Sequence, residues 1–448
     1  MDTLLQRAQV TLAEYDFHHP ASAELPALAD ALDSAAASDD AIPSSIAHLP
    51  EVLLLRLAEL LRIGPACVGD AEDLGKLPSP SDTTSHLLHD PPHVRLPLLR
   101  HLLTSHFPRY FKPHAKLHPS TGRVLNRPLG GEAGAHEWHE DGEGGWRREG
   151  GLAGVVALVI GGLEPGEIED VWPLLLPPLL AYLDDYDPAH KILGLSILDG
   201  LLETVDAALL RRTGVGKVFE QCLRSCFSAL SHPLSAPLLA SAHPVALTLV
   251  RRLHPDEAAR FDALSALVSE SIVPAWEFKA GHVAIETVSA RALPRLLGEL
   301  GRGSVRWLQV VVPHLCGLLD GGGGGGGGGG TSVETLEMQL EAARALRHVV
   351  ELARGRMARW EARVVAALGR CWVELREEGR EGTSSTRQEH AEVHELAEAL
   401  RAVVRALDEV PRAEAKASRL RKSLLMDLRA LDEGLFGELV GPREVMAQ

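Results

Sequence analysis

From Leu152 onward, apolar residues recur every three or four positions and polar residues fill the gaps. Leu195, Leu198, Leu202 and Val205 form one stripe, and Phe261, Leu264, Val268 and Ile272 a second. Ile285, Val288, Ala292 and Leu296 form a third; Val305, Leu308, Val312, Leu315 and Leu319 form a fourth. Leu336, Leu340, Ala343, Leu346 and Val350 follow, then Met357, Trp360, Val364, Leu368, Cys371 and Leu375, then Val393, Leu396, Leu400, Val403 and Leu407. A helical period places each set on one face. No run of comparable length alternates with period two, so the chain reads as all-α.

The same pattern divides the chain. Residues 1–128 read as an N-terminal helical region, with two or three helices over 1–63, a loop near 64–92 rich in Asp, Pro, Ser and Gly, and a helix from about Val94 to Phe107. Residues 129–151 form a Gly-rich acidic loop; its composition favours a mobile segment over an element. Central helical repeats occupy 152–320 and C-terminal helical repeats 332–448, with a last helix from about Arg412 to Leu435. Between them, at 321–331, lies a polyglycine insertion with a typical span of roughly 17–19 Å. It reads either as an insert in an intra-repeat turn, joining the Pro313 helix to the next one, or as an interdomain linker. Thr331 and Glu334 then have the spacing of a capping box.

Trp172 to Val218 is the most informative stretch. Two apolar helical segments are joined by Asp184-Asp185-Tyr186-Asp187-Pro188. Pro177 lies in the first segment, Asp185 in the turn and Lys191 early in the second, a spacing that resembles a HEAT unit. Such a unit cannot bury its apolar face alone and implies stacked neighbours. The expected fold is an all-α, HEAT-like helical-repeat solenoid with disordered loop insertions. Trp172, Pro177, Asp184, Asp185, Asp187, Lys191 and Gly194 are the expected residues of the structural repeat motif, holding the repeat together rather than contacting a partner. Asp187 before Pro188 is a helix-start signal. In HEAT arrays the turn aspartate pairs with a neighbour's cation, which would join Asp185 and Lys191 to such a ladder.

Composition narrows the function classes. Aromatic residues make up only 4% of the chain, so Leu, Ala and Val must fill the core, which suits stacked helices better than a β-sandwich. A formal charge of −16 gives no general attraction to nucleic acid or to an anionic membrane. Five cysteines (Cys67, Cys222, Cys226, Cys316 and Cys371) are too few and too scattered for a disulfide framework and point to a reducing compartment. The first residues do not read as a signal peptide. The apolar run Leu152 to Leu163 is too short to span a bilayer. The expected location is cytoplasmic and nuclear.

Candidate chemistry is weak at every position. Gly216-Lys217 invites a phosphate-loop reading, but Arg211 and Val218 stand where glycine and Ser/Thr are needed, so Gly214 reads as a helix stop. His136 and His139 have HxxH spacing among glycines and read as a solvated loop, not a zinc site. Pro188 and Ala189 interrupt the spacing a calcium loop would need, leaving Asp184, Asp185 and Asp187 turn and capping duty. Ser196 lacks the second glycine of a nucleophile elbow. Cys222 and Cys226 share a helical face and read as buried small residues. Trp172, Trp307 and Trp360 read as packing residues. No catalytic, cofactor-binding or metal-binding set is expected.

The segments WPLLLPPLLAYLDDYDP (Trp172–Pro188), KILGLSILDGLL (Lys191–Leu202) and LLRRTGVGKVFEQCL (Leu209–Leu223) resemble the central region of the Tel-two-interacting protein two (Tti-two) family, its fungal members in particular. Ala292 to Leu319 is a weaker echo. The resemblance implies an α-helical repeat protein without catalytic activity or cofactor. It implies a subunit of the Triple T (TTT) complex with Tti-one-like and Tel-two-like helical-repeat partners, working with the ninety-kilodalton heat-shock chaperone on phosphatidylinositol-3-kinase-related kinase clients. The alternatives are a HEAT-repeat transport or phosphatase-type scaffold with other protein partners, and an enzyme with an unrecognised site. Direct contact with nucleic acid or membrane is not expected.

Overall fold

A computed structural model describes residues 96, 99–100, 102–126, 145–148, 152–321, 332–381, 387–409 and 424–441. The helices read over 1–63, the loop near 64–92, Cys67, His136, His139, the glycines after Gly321, Thr331 and the start of the last helix at Arg412 lie outside these residues. The described residues are mostly helical, and the only strand-like pairing among them is the bridge between Leu117 and Val124. They fall into two compact units divided between Cys226 and Phe227, a division that runs inside the 152–320 stretch.

In the first unit, helix α1 spans Leu152–Gly161, α2 Pro165–Leu183, α3 Pro188–Thr204 and α4 Ala207–Thr213; α5, Val215–Ser228, runs to its end and across the division. Their ends follow from local chemistry. Glu164 and Glu167 form a reciprocal capping box at the start of α2, with Pro165 in the first turn. The Asp187 carboxylate accepts from the Ala189 N–H at 2.9 Å and Asp206 accepts from Ala208 at 2.9 Å, opening α3 and α4. Gly214 ends α4 at φ +76°, the left-handed conformation that glycine adopts without a Cβ penalty. Helix α3 packs on both α1 and α2; Leu195, Leu198 and Leu202 of α3 and Trp172, Leu175 and Leu179 of α2 are all buried.

The residues before α1 depart from expectation. In place of a regular helix reaching Phe107, Leu102–His106 is a π-turn that passes into a 3-10 turn, Phe107–Arg109. Pro108 has no N–H to continue the ladder. The polar-looking residues that follow are anchored by Phe111, Ala115 and Leu117, all buried. Gly122 sits so close to Trp172 that a Cβ there would lie 2.8 Å from the indole Cδ1.

In the second unit, α6 spans Ser235–Leu253 and α7 Glu257–Leu267; a π-turn, Val268–Ile272, leads into α8, Val273–Phe278. Then come α9 Val283–Leu300, α10 Leu308–Leu319, α11 Val333–Leu352, α12 Glu361–Glu381, α13 Arg387–Asp408, α14 over 424–431 and α15 Glu433–Val440. They form two layers. Helices α6, α9, α11 and α13 pack successively in one, while α7–α8, α10, α12 and α15 cover it in the other. This is the construction of a helical solenoid: every hairpin hides its apolar face on the next. The helices on either side of the glycine run, α10 and α11, pack on each other, and the Gln339 amide donates to the Leu319 carbonyl at 3.1 Å.

Four details differ from the pattern reading. In α9 the buried line is Ile285, Ser289, Leu293, Leu296 and Leu300; Val288 and Ala292 are half-buried. Ser289 is tolerated inside because its hydroxyl donates to the Ile285 carbonyl at 2.8 Å. Val305 is exposed on a 3-10 turn, Gly301–Trp307, before α10 begins. The cap of α11 is Ser332, whose hydroxyl accepts from Thr335 N–H at 3.3 Å. The last helix is two helices, because the Asp432 carboxylate takes the Leu435 N–H at 3.0 Å and starts a new one.

Candidate functional site

The acidic turn between α2 and α3 gathers the most chemistry in the first unit. Asp185 is buried, 1% exposed, and its carboxylate is fully engaged. Arg147 donates to it from Nε at 3.2 Å and Nη2 at 3.3 Å, His190 Nδ1 lies 2.5 Å away, and the Tyr186 N–H donates at 2.7 Å. Burial alone would raise this carboxyl; the bonds and charges of His190 and Arg147 outweigh burial and hold it below the usual carboxylate range. Arg147 arrives from the 3-10 turn Trp146–Arg148. Its guanidinium lies 4.7 Å over the Trp146 ring and 5.6 Å from Tyr186. Trp146 is buried edge-on to Tyr182 at 4.7 Å and close to Phe111 and His190.

Asp184 faces the other way. His114 Nδ1 accepts the Lys116 N–H at 3.2 Å, which leaves the proton on Nε2, 3.6 Å from Asp184. The Cys222 thiol of α5 reaches the same carboxylate at 3.5 Å. Burial would raise the Asp184 carboxyl, but His114, Cys222 and the charge of Lys191 together keep it lowered. Burial, reinforced by Asp184, pushes the Cys222 thiol well up, and burial takes Cys226 up to about 11. Both thiols therefore stay protonated and are poor nucleophiles.

Lys191 makes no ion pair with Asp185. Its buried ammonium donates to the Leu183 carbonyl at 3.0 Å and to Ser225 Oγ at 2.9 Å. The first partner is an otherwise open carbonyl at the C-terminus of α2, where a cation is favoured; the second ties α3 to α5. The charge beside Asp185 comes instead from Arg147, an intruding residue distant in sequence. Sequence reasoning missed Arg147, Trp146, His190 and His114. The available signal was a lone Trp-Arg pair set among glycines, since a large aromatic in such a segment needs somewhere to dock.

The remaining motif residues have structural places. Trp172 is 1% exposed and packs under Gly122. Pro177 sits within α2 with Pro173 and Pro178, on the wall of a shallow groove of about 200 Å³ that also involves Phe107 and Leu117. Gly194 lies where α3 meets α2: a Cβ there would stand 2.9 Å from Leu183 N and 3.0 Å from Tyr182 carbonyl carbon. Ser196 Oγ returns to the Ile192 carbonyl at 3.3 Å, as a helical hydroxyl does. Among the described residues no group of three or more metal-ligating side chains converges, and no helix is long and apolar enough to cross a membrane. In the acidic turn the Asp184 and Asp185 carboxylates are held ionised and the Cys222 and Cys226 thiols neutral. That arrangement fixes one helical hairpin, the segment before it and α5 in a single geometry.

The model of the Tti2 family matches residues 81–321, more than half of the 448-residue chain. The chain belongs to the Tti2 family. No individual curated protein matches it. The residues matched to the Tti2 family take in the whole acidic turn, including the 102–126 segment and the Trp146–Arg148 turn that complete it, and run through α10. Tti2 membership implies a component of the TTT complex.

Proposed function

We propose that this chain is a non-catalytic, HEAT-like scaffold or adaptor subunit of the Triple T co-chaperone complex. It holds Tti-one-like and Tel-two-like helical-repeat proteins. Through them it serves the ninety-kilodalton heat-shock chaperone and the maturation and stability of phosphatidylinositol-3-kinase-related kinases, in both cytoplasm and nucleus. The observation that carries this reading is the family match over residues 81–321. Two features support it. Stacked helical layers present long outer faces, and such faces bind polypeptides through a few buried anchors. The densest polar cluster is internally satisfied, which suits a joint between helices rather than a reacting centre.

Affinity purification of the tagged full chain from its native host, read by quantitative mass spectrometry, tests this. Two large helical-repeat proteins are expected in stoichiometric amounts. A mixed cargo population without that pair, or no partner at all, refutes the reading.

A further inference from the structure

The described helical layers end on α12 and α13, and α15 covers their last face, beyond the residues matched to the family. That face is built from few parts. Gly369, Trp372 and Arg376 of α12 lie three and four residues apart and share one side of the helix. At Gly369 an added Cβ would lie 3.1 Å from Leu428 Cδ1 and 4.0 Å from Phe436 Cε1, so the missing side chain makes room for both. Trp372 is fully buried, and its indole N–H donates to the Leu435 carbonyl at 2.7 Å. Two guanidinium groups lie over the same ring, Arg376 at 4.9 Å and Arg401 of α13 at 5.1 Å. Both pair with Glu438, and Arg401 Nε also donates to the Glu438 carbonyl at 3.1 Å. The face therefore reads a bulky apolar residue, an acid two positions on and apolar residues beside it: Phe436, Glu438, Leu439 and Val440.

Helix α15 is a weak occupant of so specific a place. It has eight residues, well under the ~12–15 at which an isolated helix is still marginal, and two of them are glycine. No close approach to α12 or α13 requires those glycines. An added Cβ would meet only Asp432 Oδ1 at 3.3 Å at Gly434, and only Glu433 Cγ at 3.8 Å at Gly437. The receiving helices are long by contrast, with 21 residues in α12 and 22 in α13. An element of low propensity on a durable face is the kind that opens locally before the rest.

We infer that the α12–α13 face is a docking site for a short acidic amphipathic helix, held closed by the chain's own α15. A helix of the same pattern from another polypeptide enters by displacing it. The cis contact is autoinhibitory. Its covalent tether gives α15 a high effective concentration, and its glycines keep it weak enough to leave. The inference does not depend on the scaffold reading.

The test uses the full chain and, as probe, a fluorescein-labelled peptide of residues 424–441 read by anisotropy. The wild-type face is filled and should bind the peptide weakly. Phe436→Asp removes the largest apolar anchor of α15 and leaves the face intact, so the peptide should bind at least about tenfold more tightly. Adding Arg376→Glu to that chain, or Glu438→Arg to the peptide, should remove most of the gain. Gly437→Ala works the other way: it strengthens α15 without touching the face, and hydrogen exchange of the α15 amides should slow by roughly two- to fivefold. In the wild-type chain those amides should exchange well before the amides of α12. Peptide binding to folded Phe436→Asp no tighter than to wild type overturns the inference. Equal protection of α15 and α12, or collapse of the helical spectrum in Phe436→Asp, would make α15 part of the core and overturns it too.

Discussion

Helix α3 carries two glycines that look alike in sequence and differ in space. Gly194 faces the backbone of α2, and an added Cβ would lie 2.9 Å from Leu183 N, 3.0 Å from the Tyr182 carbonyl carbon and 3.0 Å from Tyr182 Cβ. Non-bonded atoms rest about 3.5–4.0 Å apart, so α2 and α3 must separate by roughly half an ångström or more. The obstructing atoms are mostly main chain and cannot turn aside. Overpacking of that kind costs about 1–3 kcal/mol. Against it stands the usual helix gain of Gly→Ala, about 0.4–1 kcal/mol. Gly194→Ala should therefore destabilise by roughly 1–2 kcal/mol, lowering the melting temperature by about 3–6 °C for a unit of this size. Gly200, less than two turns on, has nothing within 4 Å of its would-be Cβ. Gly200→Ala keeps the gain without the cost and should raise the melting temperature by about 1–4 °C. Thermal denaturation of both variants in the full-length chain, followed by far-ultraviolet circular dichroism, decides the matter. If both variants are stabilised, α2 and α3 do not approach as described and the account of Gly194 fails.

Three other perturbations read the same structure. Arg147→Ala leaves a buried Asp185 carboxylate short of its strongest cation and should cost about 3 kcal/mol by urea denaturation, with Arg147→Lys a poor rescue because it lacks the planar fork; a loss below about half a kcal/mol would show that the turn does not dock. His314, stacked on Trp276 at 4.0 Å, has its pKa taken down by burial to about 4. The unfolded chain therefore binds the extra proton first, so stability should fall as pH drops from about 6.5 to about 4, by up to ~1.4 kcal/mol per pH unit, and the slope should lessen in His314→Phe; an unchanged slope rejects a buried neutral ring. Cys222 and Cys226, held protonated and buried, should resist iodoacetamide in the native chain at pH near 8 and react in urea, as peptide mass spectrometry would show; rapid native labelling would contradict their burial.

The helical class was legible because Leu and Val spaced at three and four residues share one face only on a helix; a strand would scatter them over both faces. The buried positions of α3 and α10–α13 follow those stripes closely. Cap chemistry was legible where the capping residue adjoins proline, as at Asp187-Pro188. It slipped by one residue at Ser332, where two hydroxyl residues compete for the same role. The stripe of α9 was misread at Val288 and Ala292 because Ser289 satisfies its own hydroxyl inside the helix and can be buried among leucines. The joint at the acidic turn was half legible. Asp184, Asp185, Asp187 and Lys191 stood out because they are clustered within one turn. Their partners His114, Arg147 and Ser225 come from three places distant in sequence, and spacing rules see only neighbours. The repeat pattern called for a cation from elsewhere on Asp185; the fold supplies Arg147, carried in beside the buried Trp146.

The family match ends at residue 321, but the construction of the second unit does not. Arg251 of α6 meets Glu299 of α9, and Arg291 of α9 meets Glu337 of α11. Past the glycines, Arg344 of α11 pairs with Glu395 of α13, and Arg354 after α11 reaches Glu409 after α13. At each step an arginine reaches forward to an acid on the next element of the same layer. Exposed pairs of this sort contribute little energy, about 0–1 kcal/mol each, so stability does not explain the repetition. What repeats is the direction: each arginine reaches from one helix to the next in the layer. The C-terminal helices thus extend the layer by the rule already set within the matched region. Arg295 stands outside that rule. It lies on α9 between Arg291 and Glu299, both of which are paired across helices, and it makes no ion pair among the described residues.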